Sequence, residues 1–218
     1  MTMLAAALIA SYLAGSIPTA LIAGKMAGGI DIRKHGSGNA GATNVYRLFG
    51  MKPYLAVLSL DMFKGFIAVT LIAPFGAGIL SGERTALYCG LAAVAGHIWT
   101  VFAGFKGGKG VATAAGIFLG LSPVVTLLAV AIYLAVTLTT KYVSLGSMTA
   151  AISAPILLLL DKSLFHPTLP AELAGAGVAL AALIVFTHRE NIKRLLKGEE
   201  RKTDFLESFK SKSTGQSS

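Results

Sequence analysis

Residues 35–47 read HGSGNAGATNVYR, and the sequence around them decides what kind of fold the chain adopts. The embedded GSGNAG matches G-x-G-x-x-G, the dinucleotide-binding fingerprint, and Asp61 follows twenty positions after Gly41. That fingerprint requires a preceding β-strand, a βαβ unit and an acidic residue outside a membrane. Here an apolar helix and the polar stretch DIRKH come first, and Asp61 lies inside the apolar run LSLDMFKGFIAV (58–69). The surroundings therefore exclude a Rossmann fold.

The composition of the 218 residues is typical of an integral membrane protein, with 54% hydrophobic residues, 13% charged residues and a mean hydropathy of +0.70. Soluble domains carry roughly 25% charged residues. A net charge of +9 would suggest nucleic acid in a soluble protein, but here basic loops and anionic ligands explain it. We expect no nucleic-acid partner. The single Cys89 excludes an internal disulfide, and the scattered histidines predict no metal site.

Seven apolar segments predict an all-α polytopic membrane protein, a seven-transmembrane-helix bundle. They cover residues 3–24, 53–75, 85–104, 110–121, 123–140, 146–161 and 172–187. A spanning helix needs about 20 residues, so the fourth segment either starts inside GFKGGKG or is re-entrant. The first segment has no preceding positive charge and no A-x-A-like site, so we expect it to be retained. Residues 1–200 form one predicted domain, and the polar residues 201–218 a disordered cytoplasmic tail.

The distribution of basic residues predicts the orientation of the chain in the membrane. Alternate loops contain most of the lysines and arginines, whereas the opposite loops contain only Arg84 and Lys162. The N-terminus is therefore expected outside and the C-terminus in the cytoplasm. All the polar clusters fall on the cytoplasmic side: HGSGNAGATNVYR before helix two, GFKGGKGVAT before helix four, KYVSLGS before helix six and HRENIKR after helix seven. Helix N-termini on this face favour anions.

The two glycine-rich basic loops on one face indicate a phosphate site. GFKGGKG (104–110) is not a P-loop, because GK followed by Ser or Thr never occurs in the chain. Glycines nevertheless let backbone N–H groups converge on phosphate oxygens. The alternative is that these glycines serve only loop flexibility or close helix packing. Two such loops together with basic residues favour phosphate.

Several residues of the first cluster each have two interpretations. Ser37, between two glycines, either approaches a ligand or belongs to a turn. Arg47 either grips a phosphate bidentately or anchors the topology. Thr43 and Asn44 are either ligand contacts or a cap for helix two.

The other clusters leave similar alternatives. Lys106 and Lys109 are either phosphate ligands or topology determinants. Ser144 and Ser147, at the start of helix six, either donate to an anion or cap that helix. His188 lies three residues from Asn191, so the two share a face if helix seven continues, and a histidine there could accept a proton from a hydroxyl.

Three further polar residues lie inside apolar segments. His97 is expected to be a buried structural histidine. Asp61 and Lys64 are three positions apart on helix two. Because charges at membrane depth are costly and usually paired, we expect a mutual salt bridge.

With these motifs in hand, the chain resembles the bacterial membrane glycerol-3-phosphate acyltransferase family that uses acyl phosphate as its donor. The resemblance covers nearly the whole chain and rests on GSIPTA (15–20), GSGNAGATNVYR (36–47), LDMFKG (60–65), GHIWTVFAGFKGGKGVAT (96–113), SLGS (144–147) and HRENIKRLLKGEE (188–200). The H-x-x-x-x-D motif of acyltransferases that use coenzyme A or acyl-carrier donors is absent.

The resemblance implies an enzyme of the bacterial inner membrane whose active site faces the cytoplasm. It implies transfer of a fatty acyl group from acyl phosphate to the 1-hydroxyl of sn-glycerol 3-phosphate. The products would be lysophosphatidate and phosphate, in the first step of phospholipid biosynthesis. No cofactor is expected. The expected partners are both substrates, membrane lipids and a soluble enzyme that produces acyl phosphate.

The resemblance also assigns roles to residues. Ser37, Gly38 and Asn39 would hold the acyl phosphate; Arg47, Lys109 or Lys106, and Ser147 would bind glycerol 3-phosphate; His188 and Asn191 would orient its hydroxyl. The base would be His188 or a phosphate oxygen of the donor. The complete candidate set is Gly36, Ser37, Gly38, Asn39, Thr43, Asn44, Arg47, Lys106, Gly107, Gly108, Lys109, Gly110, Ser144, Ser147, His188 and Asn191. The rival hypothesis is a transporter or channel for a phosphorylated metabolite.

Overall fold

The computed structural model describes residues 1–78, 80–164 and 171–205, and within them all regular structure is helical. The helices are α1 (Thr2–Ser16), α2 (Thr19–Gly28), α3 (Ala42–Phe49), α4 (Met51–Ile67), α5 (Ala73–Gly76), α6 (Gly82–Ile98), α7 (Val111–Leu121), α8 (Pro123–Thr140), α9 (Val143–Leu164), α10 (Ala171–Thr187) and α11 (Arg189–Leu196). A π-helical turn (Ala68–Ile72) joins α4 to α5, and 3₁₀ turns lie at Ile32–Lys34 and Val101–Ala103.

Each of the seven predicted apolar segments contains a helix. Among the described residues, five helical stretches are long and apolar enough to cross a membrane, or six if α10 and α11, bent by 60°, count as one. The helix α7 has 11 residues and is about 16 Å long, roughly half the thickness of a hydrocarbon core. Helix length and composition thus support five or six spans among the described residues, and the count of seven stays a prediction.

Two details of the predicted map are corrected. The first segment is broken at Pro18 into α1 and α2, because proline cannot donate the backbone hydrogen bond that a continuous helix needs. A separate helix, α3, precedes α4, and the two are divided by Gly50 with φ +81. The hydropathy pattern does not reveal α3, because this helix buries only one face, on which Val45 is fully buried.

Close helix contacts at glycines hold the bundle together. The most extensive packing joins α1 to α6, α4 to α7, α8 to α9 and α9 to α10. An added Cβ at Gly15 or Gly96 would collide with a backbone carbonyl across the α1–α6 contact. The same holds for Gly65 and Gly116 across the α4–α7 contact. These glycines let the helix backbones approach closely, as is common in membrane bundles.

The predicted salt bridge between Asp61 and Lys64 is confirmed. Lys64 Nζ lies 2.6 Å from Asp61 Oδ1, and the two side chains are 6% and 2% exposed. The Thr19 hydroxyl donates to the same carboxylate oxygen at 2.5 Å, and Lys64 also donates to the Ile17 carbonyl at the α1–α2 break, at 2.5 Å. His97 is buried as expected, with Nδ1 3.7 Å from Asp61 Oδ1. This buried polar cluster ties α1, α2, α4 and α6 together.

We predict that Lys64→Met destabilises the folded protein by about 3–5 kcal/mol, because it leaves the Asp61 carboxylate buried without its cation. Thermal unfolding in detergent measures the change. Lys193→Met is the matched control, since Lys193 is 68% exposed and should change the midpoint little. Equal midpoints for Lys64→Met and the control would contradict the structural role of the pair.

Candidate active site

The polar clusters of the sequence meet at one end of the bundle. Arg33, in the 3₁₀ turn just before the first glycine-rich loop, donates to the Ala103 carbonyl beside the second loop at 2.8 Å. Lys109, in the second loop, donates to the Asn191 side chain on α11. Arg47 on α3 reaches the segment that follows α11. Residues far apart in sequence thus form one polar surface.

Asn44 shapes the first glycine-rich loop. Its Oδ1 accepts the Ser37 N–H at 2.8 Å, and its Nδ2 donates to the carbonyls of Ile32 (2.9 Å) and His35 (3.1 Å). The residue lies inside α3 and is 1% exposed. It therefore does not cap α4, as one of its two interpretations required, and its side chain is occupied by the loop backbone. Gly36 has φ +59 and lies so close to Asn44 that a side chain there would collide with Oδ1.

The backbone donors available to an anion lie after Ser37 and Gly38. The Ser37 N–H is bonded to Asn44, and the Gly38 N–H donates to the His35 carbonyl at 3.0 Å. In the part of the chain that the structure describes, the N–H groups from Asn39 to Thr43 have no intramolecular acceptor. They lead into the N-terminus of α3, a favourable position for an anion.

The glycines of the second loop pack against α6. The N–H groups of Gly107 and Gly108 donate to the carbonyls of Ile98 (3.0 Å) and His97 (3.1 Å), and a side chain at Gly108 would collide with the His97 ring. These two N–H groups are therefore not available to a phosphate, contrary to the prediction. Gly110, with φ +84, begins α7 in the left-handed conformation that glycine favours.

A small cleft lies beside the break between α1 and α2, and residues 17–21 line much of it. Ala40 of the first loop and Gly107 and Gly108 of the second line it, together with Lys64 and His97 of the buried polar cluster. The cleft thus adjoins both glycine-rich loops and the buried polar cluster.

Of the two candidate lysines, only Lys109 faces the site. Lys106 is exposed, whereas Lys109 is partly buried and its ammonium donates to Asn191 Oδ1. Burial lowers the pKa of Lys109 to about 8. The lysine is therefore a cation whose charge is only moderately stabilised in the protein alone.

Glu200 connects the remaining polar groups. Its Oε1 accepts hydrogen bonds from Ser144 (2.7 Å) and Asn191 (2.6 Å), and its Oε2 accepts one from Arg194 Nε (2.7 Å). Burial opposes the charged form, but these hydrogen bonds lower the pKa of the Glu200 carboxyl overall. The residue is 8% exposed. The Ser144 hydroxyl therefore donates its hydrogen bond to a carboxylate. Ser147, one turn further along α9, is also buried.

Glu200 is not among the residues that the sequence predicted for the site. The carboxylate next to Asn191 in the sequence is Glu190. Glu190 is exposed and pairs with Lys193 on its own helix at 3.1 Å. The only sequence signal for Glu200 was its position at the end of the basic stretch HRENIKRLLKGEE.

His188 lies at the bend between α10 and α11. The 60° bend, rather than one continuous helix, brings His188 and Asn191 to the same site. Nδ1 of His188 lies 2.8 Å from the Ile184 carbonyl, so Nδ1 carries the proton and Nε2 offers a lone pair. Burial and the charge of Lys109 lower the pKa of His188 to about 4. The imidazole is neutral at pH 7.

Residues 5–198 match the family model described as glycerol-3-phosphate acyltransferase. The chain belongs to this family. A glycerol-3-phosphate acyltransferase of Chlorobaculum tepidum is 43% identical over 92% of this chain and 96% of its own length, and one of Chlorobaculum parvum is 44% identical over 89% and 94%. The predicted family resemblance is confirmed.

The acyltransferase fold also matches solved structures of an integral membrane protein. The crystal structure of PlsY, a glycerol 3-phosphate acyltransferase, in its glycerol 3-phosphate form is 43% identical with a TM-score of 0.83. The alignment covers 94% of this chain and 98% of that one. The lysophosphatidic acid form of PlsY is 42% identical with a TM-score of 0.81. This acyltransferase is therefore an integral membrane protein.

We predict that Asn44→Ala loosens the first glycine-rich loop. It leaves the Ser37 N–H without its acceptor and removes one of the two donors to each of the carbonyls of Ile32 and His35. Each unsatisfied buried group costs about 1–3 kcal/mol. Hydrogen exchange of a peptide covering residues 35–41 should become faster. Asn44→Asp retains the acceptor for Ser37 and should protect this peptide better than alanine does. An unchanged rate of hydrogen exchange in Asn44→Ala would contradict the role of the Asn44 side chain in holding this loop.

Proposed function

We propose that the protein transfers a fatty acyl group from acyl phosphate to the 1-hydroxyl of sn-glycerol 3-phosphate. The products are lysophosphatidate (1-acylglycerol 3-phosphate) and inorganic phosphate, and the reaction begins phospholipid biosynthesis. Family membership supports the acceptor and the acyl transfer. The chemistry of the site supports a donor and an acceptor that both carry phosphate.

The observation that carries the proposal is a pair of cations without a directly paired carboxylate. Within residues 1–78, 80–164 and 171–205, neither Arg47 nor Lys109 has an Asp or Glu oxygen within 4.0 Å. Arg47 Nε is buried and has no acceptor among the described residues. Unsatisfied buried donors and cations are costly, so these groups fit a substrate phosphate. We assign the phosphate of glycerol 3-phosphate to Arg47 and Lys109, and to Ser147 by the family resemblance.

The other half of the proposed site holds the donor. The Ser37 hydroxyl and the N–H groups from Asn39 to Thr43 would bind the acyl phosphate at the N-terminus of α3. The same groups would stabilise the oxyanion that forms on the acyl carbon. The fatty chain would extend among the apolar helices toward lipid.

His188 and Asn191 would orient the attacking hydroxyl. Nε2 of neutral His188 can accept a hydrogen bond from the 1-hydroxyl of the acceptor. With a pKa of about 4, however, the imidazole is a poor general base at neutral pH. The hydroxyl oxygen attacks the acyl carbon and the carbon–oxygen bond to phosphate breaks. The hydroxyl proton leaves on the phosphate oxygen, so the departing donor serves as the base.

We further propose that the polar end of the bundle faces the cytoplasm of a bacterial inner membrane, with the N-terminus outside. This orientation follows the excess of basic residues at that end. An N-terminus outside and a C-terminus in the cytoplasm require an odd number of membrane crossings. The number is seven if α7 and the bent α10–α11 pair both cross the membrane. A soluble enzyme that produces acyl phosphate could then deliver the donor directly to this face.

The experiment that tests the function uses the purified protein with acyl phosphate and radiolabelled glycerol 3-phosphate. Formation of labelled lysophosphatidate with release of equimolar phosphate is expected. Absence of product, together with flux of a phosphorylated solute into liposomes, would contradict the proposal and favour a transporter.

We predict that the affinity for glycerol 3-phosphate falls tenfold per pH unit above about pH 8. The charged form of Lys109 binds phosphate, and this form is lost as the pH rises through its pKa of about 8. The substrate phosphate stays fully ionised in this range, because its second pKa is about 6. Isothermal titration calorimetry between pH 6.5 and 9.5 measures the profile. Lys109→Arg should remove the decline, and a flat profile for the unmodified protein would contradict the role of Lys109.

We predict direct transfer without an acyl-enzyme. In the described part of the chain no histidine or carboxylate is hydrogen-bonded to the Ser37 hydroxyl, so it lacks the base that activates a nucleophilic serine. Incubation with acyl phosphate alone should give no burst of phosphate. Mass spectrometry should find Ser37 unmodified during turnover. A stoichiometric acyl adduct on Ser37 would overturn direct transfer.

A further inference from the structure

The segment after α11 crosses the polar end of the bundle and contacts Arg47. We name residues 201–205 the strap. The sequence assigned these residues to a disordered tail, yet they make specific contacts, and residues 206–218 of that tail lie outside the described residues. Within the strap, the Thr203 N–H donates to the Lys141 carbonyl at 2.8 Å. This bond anchors the strap at the junction of α8 and α9.

The opposite side of the strap is anchored to α3 and α4. The Tyr46 hydroxyl donates to the Asp204 carbonyl at 2.9 Å. The Phe205 ring packs on the rings of Tyr46 and Tyr54, with centroid distances of 4.7 and 5.4 Å. The Asp204 carboxylate also forms an ion pair with Lys141. The strap therefore joins the junction of α8 and α9 to α4 and to α3, the helix that carries Arg47.

The Arg47 side chain is held by the strap at one of its nitrogens. Nη2 donates to Thr203 Oγ1 at 2.9 Å and to the Arg201 carbonyl at 3.2 Å. The Thr203 bond is the shorter of the two, and it is the one that a side-chain substitution can remove. Nε remains without an acceptor among the described residues, so the strap fixes the guanidinium and leaves this part of it for a ligand.

We infer that Thr203 is a positioning residue for Arg47, and that the strap sets the affinity of the site for the phosphate of glycerol 3-phosphate. The inference rests on the proposed function. An arginine side chain loses much rotational freedom when it grips a ligand. Because the Thr203 hydroxyl already restricts the guanidinium, less of that freedom is lost on binding. Thr203 itself does not touch the reacting atoms, so it should affect substrate affinity and leave the chemical step unchanged.

The test is Thr203→Val, which removes the hydroxyl and retains the branched shape and the backbone bond to Lys141. We expect the KM and the calorimetric Kd for glycerol 3-phosphate to rise about tenfold, since a hydrogen bond to a charged group is lost. The kcat should change less than twofold. Thr203→Ser should restore affinity to within threefold of the unmodified protein. Thr139→Val is the matched control and should change neither constant. Among the described residues, the exposed Thr139 hydroxyl bonds only to the carbonyls of Ala135 and Val136 on its own helix, α8.

A double-mutant cycle separates positioning from general stability. In an Arg47→Ala background, Thr203→Val should have no further effect on affinity. Should Thr203→Val fail to fold, Phe205→Leu keeps the Thr203 hydroxyl while loosening the strap, and it should also raise the KM with kcat retained. Normal affinity in a folded Thr203→Val protein, or an equal loss in the Arg47→Ala background, would overturn the inference. Failure of the unmodified protein to bind glycerol 3-phosphate and to form lysophosphatidate would instead refute the proposed function.

Discussion

The buried Glu200 carboxylate is the interaction on which the polar end of the bundle depends. It accepts hydrogen bonds from Ser144 on α9 and from Asn191 and Arg194 on α11. A carboxylate removed from water must be fully paired to be tolerated, and here three donors pair it. Its negative charge also favours the charged forms of Arg47 and Lys109 nearby. Loss of Glu200 would leave donors from two helices unpaired and cations of like charge close together.

This arrangement gives the site an excess of positive charge that one buried carboxylate does not neutralise. Burial removes water from the Lys109 ammonium and lowers its pKa, which reflects the cost of holding that charge. In the proposed reaction the substrate phosphate offsets this cost. The N-terminus of α3 supplies the second group of donors without adding a further charged side chain. In the proposed reaction these two groups of donors bind the two phosphates at one end of the bundle.

Much of the fold could be predicted from the sequence, because hydropathy alone located a helix in each apolar segment. The Asp61–Lys64 pair followed from its spacing and from the cost of charge at membrane depth. The sequence did not predict α3, whose single buried face is too short for a hydropathy signal. The family resemblance assigned the acyl phosphate to Ser37, Gly38 and Asn39. Asn44 and the His35 carbonyl occupy the N–H groups of Ser37 and Gly38, whereas the Asn39 N–H has no acceptor among the described residues. Such pairings depend on tertiary contacts that no local pattern contains.

The same reason explains what was missed in the candidate site. Lys106 and Lys109 look alike in GFKGGKG, and only the packing of the loop against α6 turns Lys109 toward Asn191. Glu200 and Thr203 follow α11 in a polar stretch with no periodicity, so their contacts come entirely from the chain folding back over the bundle. The 60° bend at His188 likewise replaces the continuous helix that the spacing of His188 and Asn191 had suggested.

The most direct test of this account is an experimental structure of this protein with glycerol 3-phosphate bound. The account predicts phosphate oxygens within hydrogen-bond distance of the Arg47 guanidinium and the Lys109 ammonium, with the 1-hydroxyl near His188 Nε2. A phosphate bound away from both Arg47 and Lys109, for example against the exposed Lys106, would contradict it.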